Sequence, residues 1–136
     1  MKHMIIALSL LSSPMIAKEQ TLSPSELENI YDKLNISTFR SSLMPMRSKE
    51  KTYLKQIGLP SPTYFKNGFS IESNDWSYTF TVIEKKDKNR DGVMDYTICL
   101  SDKSKTGTYN SISPILISPL GVDNQLIALS FTVDGC

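Results

Sequence analysis

The sequence of 136 residues contains very little histidine or cysteine and no excess of charge of either sign. It has one histidine, His3, and two cysteines, and its 15 lysine and arginine residues are balanced by 14 aspartate and glutamate residues. A net charge of +1 provides no basic surface for nucleic acid or for an anionic membrane. With 40% hydrophobic and 21% charged residues, the chain has the composition of an ordinary globular domain.

The sequence also lacks an apolar run long enough to anchor it in a bilayer, and a short one lies at its start. Lys2 precedes an apolar run over residues 4–11, two serines and a proline end the run, and Ala17 offers a small residue for cleavage. This pattern predicts a secretory signal peptide over residues 1–17, followed by a single domain over residues 18–136. The alternative is an N-terminal core helix, which the proline would break after barely two turns.

The scarcity of histidine limits the chemistry of the exported chain. Because His3 is removed with the predicted signal peptide, no imidazole remains. This excludes Ser-His-Asp and Cys-His nucleophile systems and every histidine-based zinc site.

The two cysteines of the exported chain are Cys99 and Cys136. An even pair in an oxidising compartment predicts one disulfide, which would stabilise the fold by about 3–4 kcal/mol on the chain-entropy model. Cys99 lies on the strand face opposite its apolar neighbours, and Cys136 shares the parity of Ser130 and Thr132. We therefore expect a bridge on the outer face of the sheet if the two strands are neighbours. A reactive thiol at Cys99 is the alternative, although no histidine is present to activate it.

Two helices are predicted near the start of the exported domain. Ser23 begins a capping box, and Pro24 suits the first helical position, where a missing N–H costs nothing. Apolar residues then follow the helical spacing i, i+3, i+4 and i+7: Leu27, Ile30, Tyr31 and Leu34. The second helix is predicted over residues 48–57, because Gly58 fits a C-cap and Pro60 prevents continuation.

From Thr63 onward the apolar period changes to two, which is typical of strands that bury one face. Asn67-Gly68 predicts a two-residue hairpin turn. Two strands are predicted to face inward through alternate residues: Trp76, Tyr78, Phe80 and Val82, then Tyr96, Ile98 and Leu100. Residues 112–117 predict an edge strand, and residues 127–133 a final one. The predicted fold class is α+β: two N-terminal helices followed by an antiparallel sheet of about six strands, with one disulfide.

One segment has a pattern typical of metal binding. Residues 87–95 follow the pattern D-x-N-x-D-G-x-x-D, which resembles the calcium loops of EF-hands, dockerins and FG-GAP-type propellers. A hard cation takes six or more oxygen ligands, and alternate residues of a tightly turning loop can supply them. The resemblance implies a sharp turn at Gly92 and calcium ligands from five residues: the side chains of Asp87, Asn89, Asp91 and Asp95 and the main-chain carbonyl of Val93.

The segment departs from an EF-hand in two respects. Ile98 stands at the twelfth loop position, where an EF-hand has a bidentate glutamate, and the predicted flanking elements are strands. Four basic residues also offset the local acidic ones. We therefore predict a structural calcium ion in a β-hairpin, with a dissociation constant of about 10⁻⁴–10⁻³ M. A solvated hairpin loop without metal is the alternative, since Asp, Asn and Gly also favour turns.

These features predict a small periplasmic or secreted domain that binds rather than catalyses. We expect its partner to be another protein, as for inhibitors and for immunity proteins against secreted toxins. We expect neither nucleic acid nor, after signal cleavage, a membrane. The alternative is a small hydrolase that combines carboxylates with calcium. A cleft that gathers further carboxylates would favour the hydrolase, and an exposed apolar patch would favour the binding domain.

Overall fold

The computed structural model describes residues 22–43, 52–130, 133 and 135–136. The predicted signal peptide and the first part of the predicted second helix lie outside these residues. Among the helices of the described residues, none is both long enough and apolar enough to cross a membrane.

The first predicted helix is confirmed as α1 (Pro24–Lys33). Its capping box is complete, because the Ser23 hydroxyl accepts from the Glu26 N–H at 3.2 Å and the Glu26 carboxylate accepts from the Ser23 N–H at 3.4 Å. Such a cap stabilises a helix by about 1 kcal/mol. The predicted stripe of α1 and the residue that follows it are buried in the core: Leu27, Ile30, Tyr31 and Leu34.

The prediction of two N-terminal helices is not supported, because α1 is the one α-helix among the described residues. The described part of the predicted second helix, residues 52–57, forms a 3-10 turn at Leu54–Gln56. The Gln56 side chain closes this turn by accepting from the backbone N–H groups of Thr52 and Tyr53 at 2.8 and 2.9 Å. Gly58, at φ +77°, then ends the segment. Within this turn, Leu54 is the residue that is buried in the core.

The predicted antiparallel sheet is confirmed, and it has six strands in sequence order. Every neighbouring pair is antiparallel, so the sheet is a simple meander. The strands are β1 (Thr63–Phe65), β2 (Gly68–Glu72), β3 (Trp76–Lys86), β4 (Asp95–Ser104), β5 (Asn110–Ser118) and β6 (Ile127–Ala128).

One face of the sheet forms the core together with α1. The alternation predicted for β3 and β4 is confirmed, since the inward residues at the centre of both strands are buried: Tyr78, Phe80, Val82, Ile98 and Leu100. The register shifts between Val82 and Glu84, which marks a β-bulge at Ile83. Because of this bulge, Lys85 points to the face that α1 covers, where it meets Glu26.

The first hairpin differs from its prediction by one residue. Phe65 pairs with Gly68, so the two turn residues are Lys66 and Asn67 rather than Asn67 and Gly68. Neither Asn67 nor Gly68 has a positive φ. The Asn67 carbonyl instead accepts from the Val82 N–H at 2.8 Å, which draws this residue into the sheet. Strand pairing therefore prevails over the local turn preference.

The last predicted strand is shorter than expected. β6 has two residues, and pairing continues as far as the Leu129 N–H, which donates to the Leu116 carbonyl at 2.8 Å. Residues 131 and 132 of the predicted strand lie outside the described residues. Cys136 is bonded to Cys99 and therefore lies beside β4 rather than in β6. The disulfide thus requires the chain to leave the edge of the sheet after β6.

The predicted disulfide is confirmed, but the two strands are not neighbours. Cys99 on β4 is bonded to Cys136 with a Cα–Cα distance of 5.6 Å, and β5 lies between β4 and β6. Gly135, at φ +131°, contacts Ile83 of β3. The end of the chain therefore lies on the sheet face opposite to α1.

Candidate calcium loop in the β3–β4 hairpin

The predicted calcium loop connects the two longest strands of the sheet. Its ends are held together where Lys86 pairs with Asp95 in the final rung of the β3–β4 ladder. The turn uses two residues with positive φ, Arg90 at +60° and Gly92 at +86°. Gly92 is therefore the turning residue that the motif predicts, since glycine adopts this conformation without strain.

The loop folds around its own acidic side chains. The two carboxylate oxygens of Asp87 accept from the backbone N–H groups of Asp91 at 3.2 Å and of Gly92 at 2.8 Å. The Asp91 carboxylate accepts from the Val93 N–H at 2.9 Å. Because each oxygen uses one lone pair in such a bond, another remains for a cation.

Asn89 joins the same group of side chains. Its amide oxygen accepts from the Asp91 N–H at 3.3 Å, and its amide nitrogen donates to the Asp91 carboxylate at 3.0 Å. The structure thus brings Asp87, Asn89 and Asp91 together on the tip of the hairpin, with Asp91 exposed to solvent.

Asp95 differs from the other predicted ligands because it is 0% exposed. One of its carboxylate oxygens accepts from the Lys88 N–H at 2.8 Å. The other, Oδ1, is buried and has no hydrogen-bond partner. Leaving a buried carboxylate oxygen unpaired costs about 1–3 kcal/mol or more.

The side-chain hydroxyls nearest to Asp95 along the ladder are also buried and unpartnered. Thr97 lies two residues further along β4 on the same face, and Ser118 lies beside Asp95 on β5. The base of the hairpin therefore contains a polar interior whose oxygens are incompletely satisfied.

The predicted ligands do not converge on one point. No group of three or more His, Cys, Asp or Glu side chains suitable for holding a metal exists within the part of the chain that the structure describes. Asp87, Asn89 and Asp91 cluster at the tip, and Asp95 lies at the base. Occupation by calcium would therefore require the tip to move toward Asp95.

The basic residues around the loop are partly neutralised. The Lys88 ammonium lies 2.8 Å from Glu84 Oε1, four residues earlier in the chain. An ion pair of this kind is worth about 0.5 kcal/mol, but it removes one cation from competition with a bound metal.

A second carboxylate site joins α1 to the sheet and was missed by sequence reasoning. Glu26 Oε2 accepts from the Lys85 ammonium at 2.8 Å and from the Tyr96 hydroxyl at 3.1 Å. The hydrogen bond from Lys85 is the main cause that lowers the pKa of Glu26. Burial, followed by the hydrogen bond to Glu26, raises the pKa of Tyr96 to about 12. No sequence signal predicts this group, because the bulge at Ile83 decides where Lys85 points.

A third carboxylate site, also missed, holds the segment after α1 on the core face. Asp102 is 2% exposed and accepts from the Ser42 N–H at 2.7 Å and from the Ser42 hydroxyl at 2.5 Å. The Ser42 hydroxyl also lies 3.3 Å from the Tyr78 hydroxyl. The sequence does contain a signal for this site. Asp102 follows Ile98 and Leu100 in the period-two alternation, which places it on the buried face of β4.

Comparisons of the chain with protein-family models, with curated proteins and with solved structures find no match. Any function assigned to the chain therefore depends on these three carboxylate sites and on the disulfide.

Proposed function

We propose that this protein is a small exported binding domain of the inhibitor or immunity type, in which a structural calcium ion holds the β3–β4 hairpin. The proposal of a calcium ion rests on the environment of Asp95. Its carboxylate is fully buried at the base of a calcium-type loop, with Oδ1 unpartnered. A divalent cation would satisfy this oxygen, as buried charges require.

The other ligands of the proposed ion come from the tip of the same hairpin. Asp87, Asn89 and Asp91 already surround the backbone of residues 91–93, and the Val93 carbonyl is the fifth candidate ligand. A cation drawn toward Asp95 would exchange some of the bonds from loop N–H groups for bonds to the metal. Because that exchange has a cost, the proposed affinity is weak, with a dissociation constant of about 10⁻⁴–10⁻³ M.

The disulfide supports export. Disulfides such as Cys99–Cys136 persist in oxidising compartments and are rare in the cytosol. Together with the signal-like segment over residues 1–17, this favours a periplasmic or secreted location.

Binding is favoured over catalysis by the hydrogen bonds that engage the two carboxylates outside the loop. Glu26 is engaged by Lys85 and Tyr96, and Asp102 is engaged twice by Ser42. Carboxylates held in this way are poor general bases, because their oxygens already accept hydrogen bonds that fix them in place and the pKa of Glu26 is lowered. A calcium-assisted hydrolase would have to work with the loop carboxylates alone.

The binding function is tested with protein recovered after export, whose N terminus we expect mass spectrometry to place near Lys18. This oxidised protein, immobilised in calcium, should capture a partner from a periplasmic or secreted extract, and the purified partner should rebind it in a defined ratio. The reduced protein serves as the control. Absence of any partner that rebinds, combined with hydrolysis of a general ester or glycoside substrate, would support the alternative.

A further inference from the structure

Among the described residues, most of β5 forms an edge of the sheet, because β6 is short. β5 pairs with β4 from Asn110 to Ile117, but β6 pairs with β5 only at Ile117 and Ser118. Within the described residues, the segment from Asn110 to Ile115 has a strand neighbour on one side only.

The direction of the backbone along β5 identifies which groups point outward. The Leu116 carbonyl accepts from Leu129 and therefore points away from β4. Ile112 and Pro114 have the same parity, so the N–H and C=O of Ile112 and the C=O of Pro114 also point outward. Pro114 lies opposite Cys99 without disturbing the β4 ladder, because its ring nitrogen occupies an outward position.

This edge has almost none of the features that normally protect one. Residues 106–122 contain no charged side chain, whereas natural edge strands usually carry charges, often lysine, or are covered. Within β5, Pro114 is the one residue of a protective type. Ile112 is 62% exposed, and three other large apolar side chains in the same uncharged stretch are exposed as well: Tyr109, Leu120 and Val122.

We propose that β5 pairs in antiparallel orientation with β5 of a second copy of this chain, around a two-fold axis at Ile112. Because the edge carries no charge, it does not require a partner of opposite charge. Two copies of the same edge can pair without repulsion between like charges. The overall charge of +1 also adds little repulsion between two copies. This pairing is independent of the proposed calcium ion.

The proposed register takes into account that Pro114 has no backbone N–H to donate outward. With Ile112 opposite Ile112 of the second copy, the two residues exchange two backbone hydrogen bonds. Asn110 then faces Pro114 of the other copy and donates its N–H to that proline's carbonyl. Only the Asn110 carbonyl lacks a partner, and it lies at the end of the strand, where water can reach it. The two Ile112 side chains meet on the outer face as an apolar cross-strand pair.

Sedimentation equilibrium of the full oxidised protein, from low to high micromolar concentration, tests this pairing. We expect the average mass to rise from one chain to two. Ile112→Lys should weaken dimerisation at least about tenfold, since it places two like charges opposite each other. Ile112→Pro should do the same while keeping the β4 pairing, because it removes only an outward N–H. Val122→Lys, at an exposed apolar position outside β5, is the matched control and should dimerise normally.

A single-chain mass at every concentration would overturn the proposal, and so would dimerisation that both Ile112 variants leave unchanged. Circular dichroism shows whether each variant is folded. If Ile112→Pro is unfolded, the dimerisation of Ile112→Lys alone tests the proposal. Because calcium binding is measured separately by thermal melting, failure of the dimer leaves the calcium proposal intact.

Discussion

Glu26 has two structural roles at the start of α1. It completes the capping box with Ser23, and it joins the helix to the sheet through Lys85 and Tyr96. The first role can be predicted from the sequence, because the capping box is local. The second depends on a bulge in β3, so it can be seen only once the sheet is built.

The shifted pKa values of Glu26 and Tyr96 predict that the stability of the fold depends on pH. Because the pKa of Glu26 is lowered by folding, its contribution is present above the ordinary value of 4.5 and is lost as the pH falls through the folded value. Glu26→Gln should cost about 1–2 kcal/mol at neutral pH and should reduce the loss of stability in acid. Chemical denaturation between about pH 3 and pH 7 measures both effects.

Glu28→Gln is the matched control, since Glu28 is an exposed residue of the same helix turn. Equal acid sensitivity in the wild type and the Glu26 variant would contradict the assignment. On the alkaline side, the raised pKa of Tyr96 predicts that stability present below pH 10.0 is lost as the pH rises toward about 12.

Asp95 allows a sharper test at the residue scale. Without metal, its buried Oδ1 is unpartnered and unfavourable. Asp95→Asn removes the charge and keeps an oxygen that can accept from the Lys88 N–H. We therefore expect this variant, measured in chelator by thermal melting, to be as stable as the wild type or more stable, and to lose its response to calcium. A variant that is strongly destabilised in chelator yet still responds to calcium would exclude Asp95 as a ligand.

At the scale of elements, Gly68 is required by close contacts rather than by a turn. A Cβ added at this position would lie 2.1 Å from the Phe80 carbonyl oxygen and 2.7 Å from the Phe65 ring. Phe65 lies over Gly68 on the outer face of β1 and β2, opposite to the core.

Gly68→Ala should therefore destabilise the protein by about 1–3 kcal/mol, as overpacking does, although alanine normally suits a strand better than glycine. Thermal melting measures the loss. Gly107→Ala is the control, because the nearest atom to its added Cβ is a serine side-chain oxygen at 3.3 Å. If Gly68→Ala is neutral and the control is not, the tight contact at Gly68 does not exist.

The elements also show what local sequence patterns can predict. The inward residues of β3 and β4 follow from period-two alternation, because one buried face imposes that period. The turn at Lys66-Asn67 and the short β6 do not follow from local patterns. In the first, pairing with Val82 draws Asn67 into the sheet, and in the second, the bond to Cys99 takes the chain away from the edge. Both depend on partners distant in sequence.

At the scale of the whole molecule, the disulfide fixes the end of the chain to the middle of the sheet. It links residues 37 positions apart, which corresponds to about 4 kcal/mol on the chain-entropy model. Reduction, or the paired substitution Cys99→Ser with Cys136→Ser, should lower the free energy of unfolding by about 2–4 kcal/mol. Urea denaturation with and without reductant measures this. Identical curves would mean that the bridge does not constrain the unfolded chain.

The candidate site could be predicted only in part from the sequence. The motif predicts the turn at Gly92 and the grouping of Asp87, Asn89 and Asp91, because these depend on local spacing. It does not predict that Asp95 is fully buried at the base of the hairpin, since that depends on β5 lying alongside. This burial is the observation on which the calcium proposal rests.

The most direct test of the calcium proposal is thermal melting of the oxidised protein in millimolar calcium and in excess chelator. Calcium bound only by the folded state should add about 1.4 kcal/mol at ten times the dissociation constant, or a few degrees in Tm. Asp91→Ala should abolish this rise, whereas Asp75→Ala, an exposed aspartate outside the loop, should keep it. Superimposable melting curves in calcium and in chelator would contradict the account, because the loop would then be only a turn.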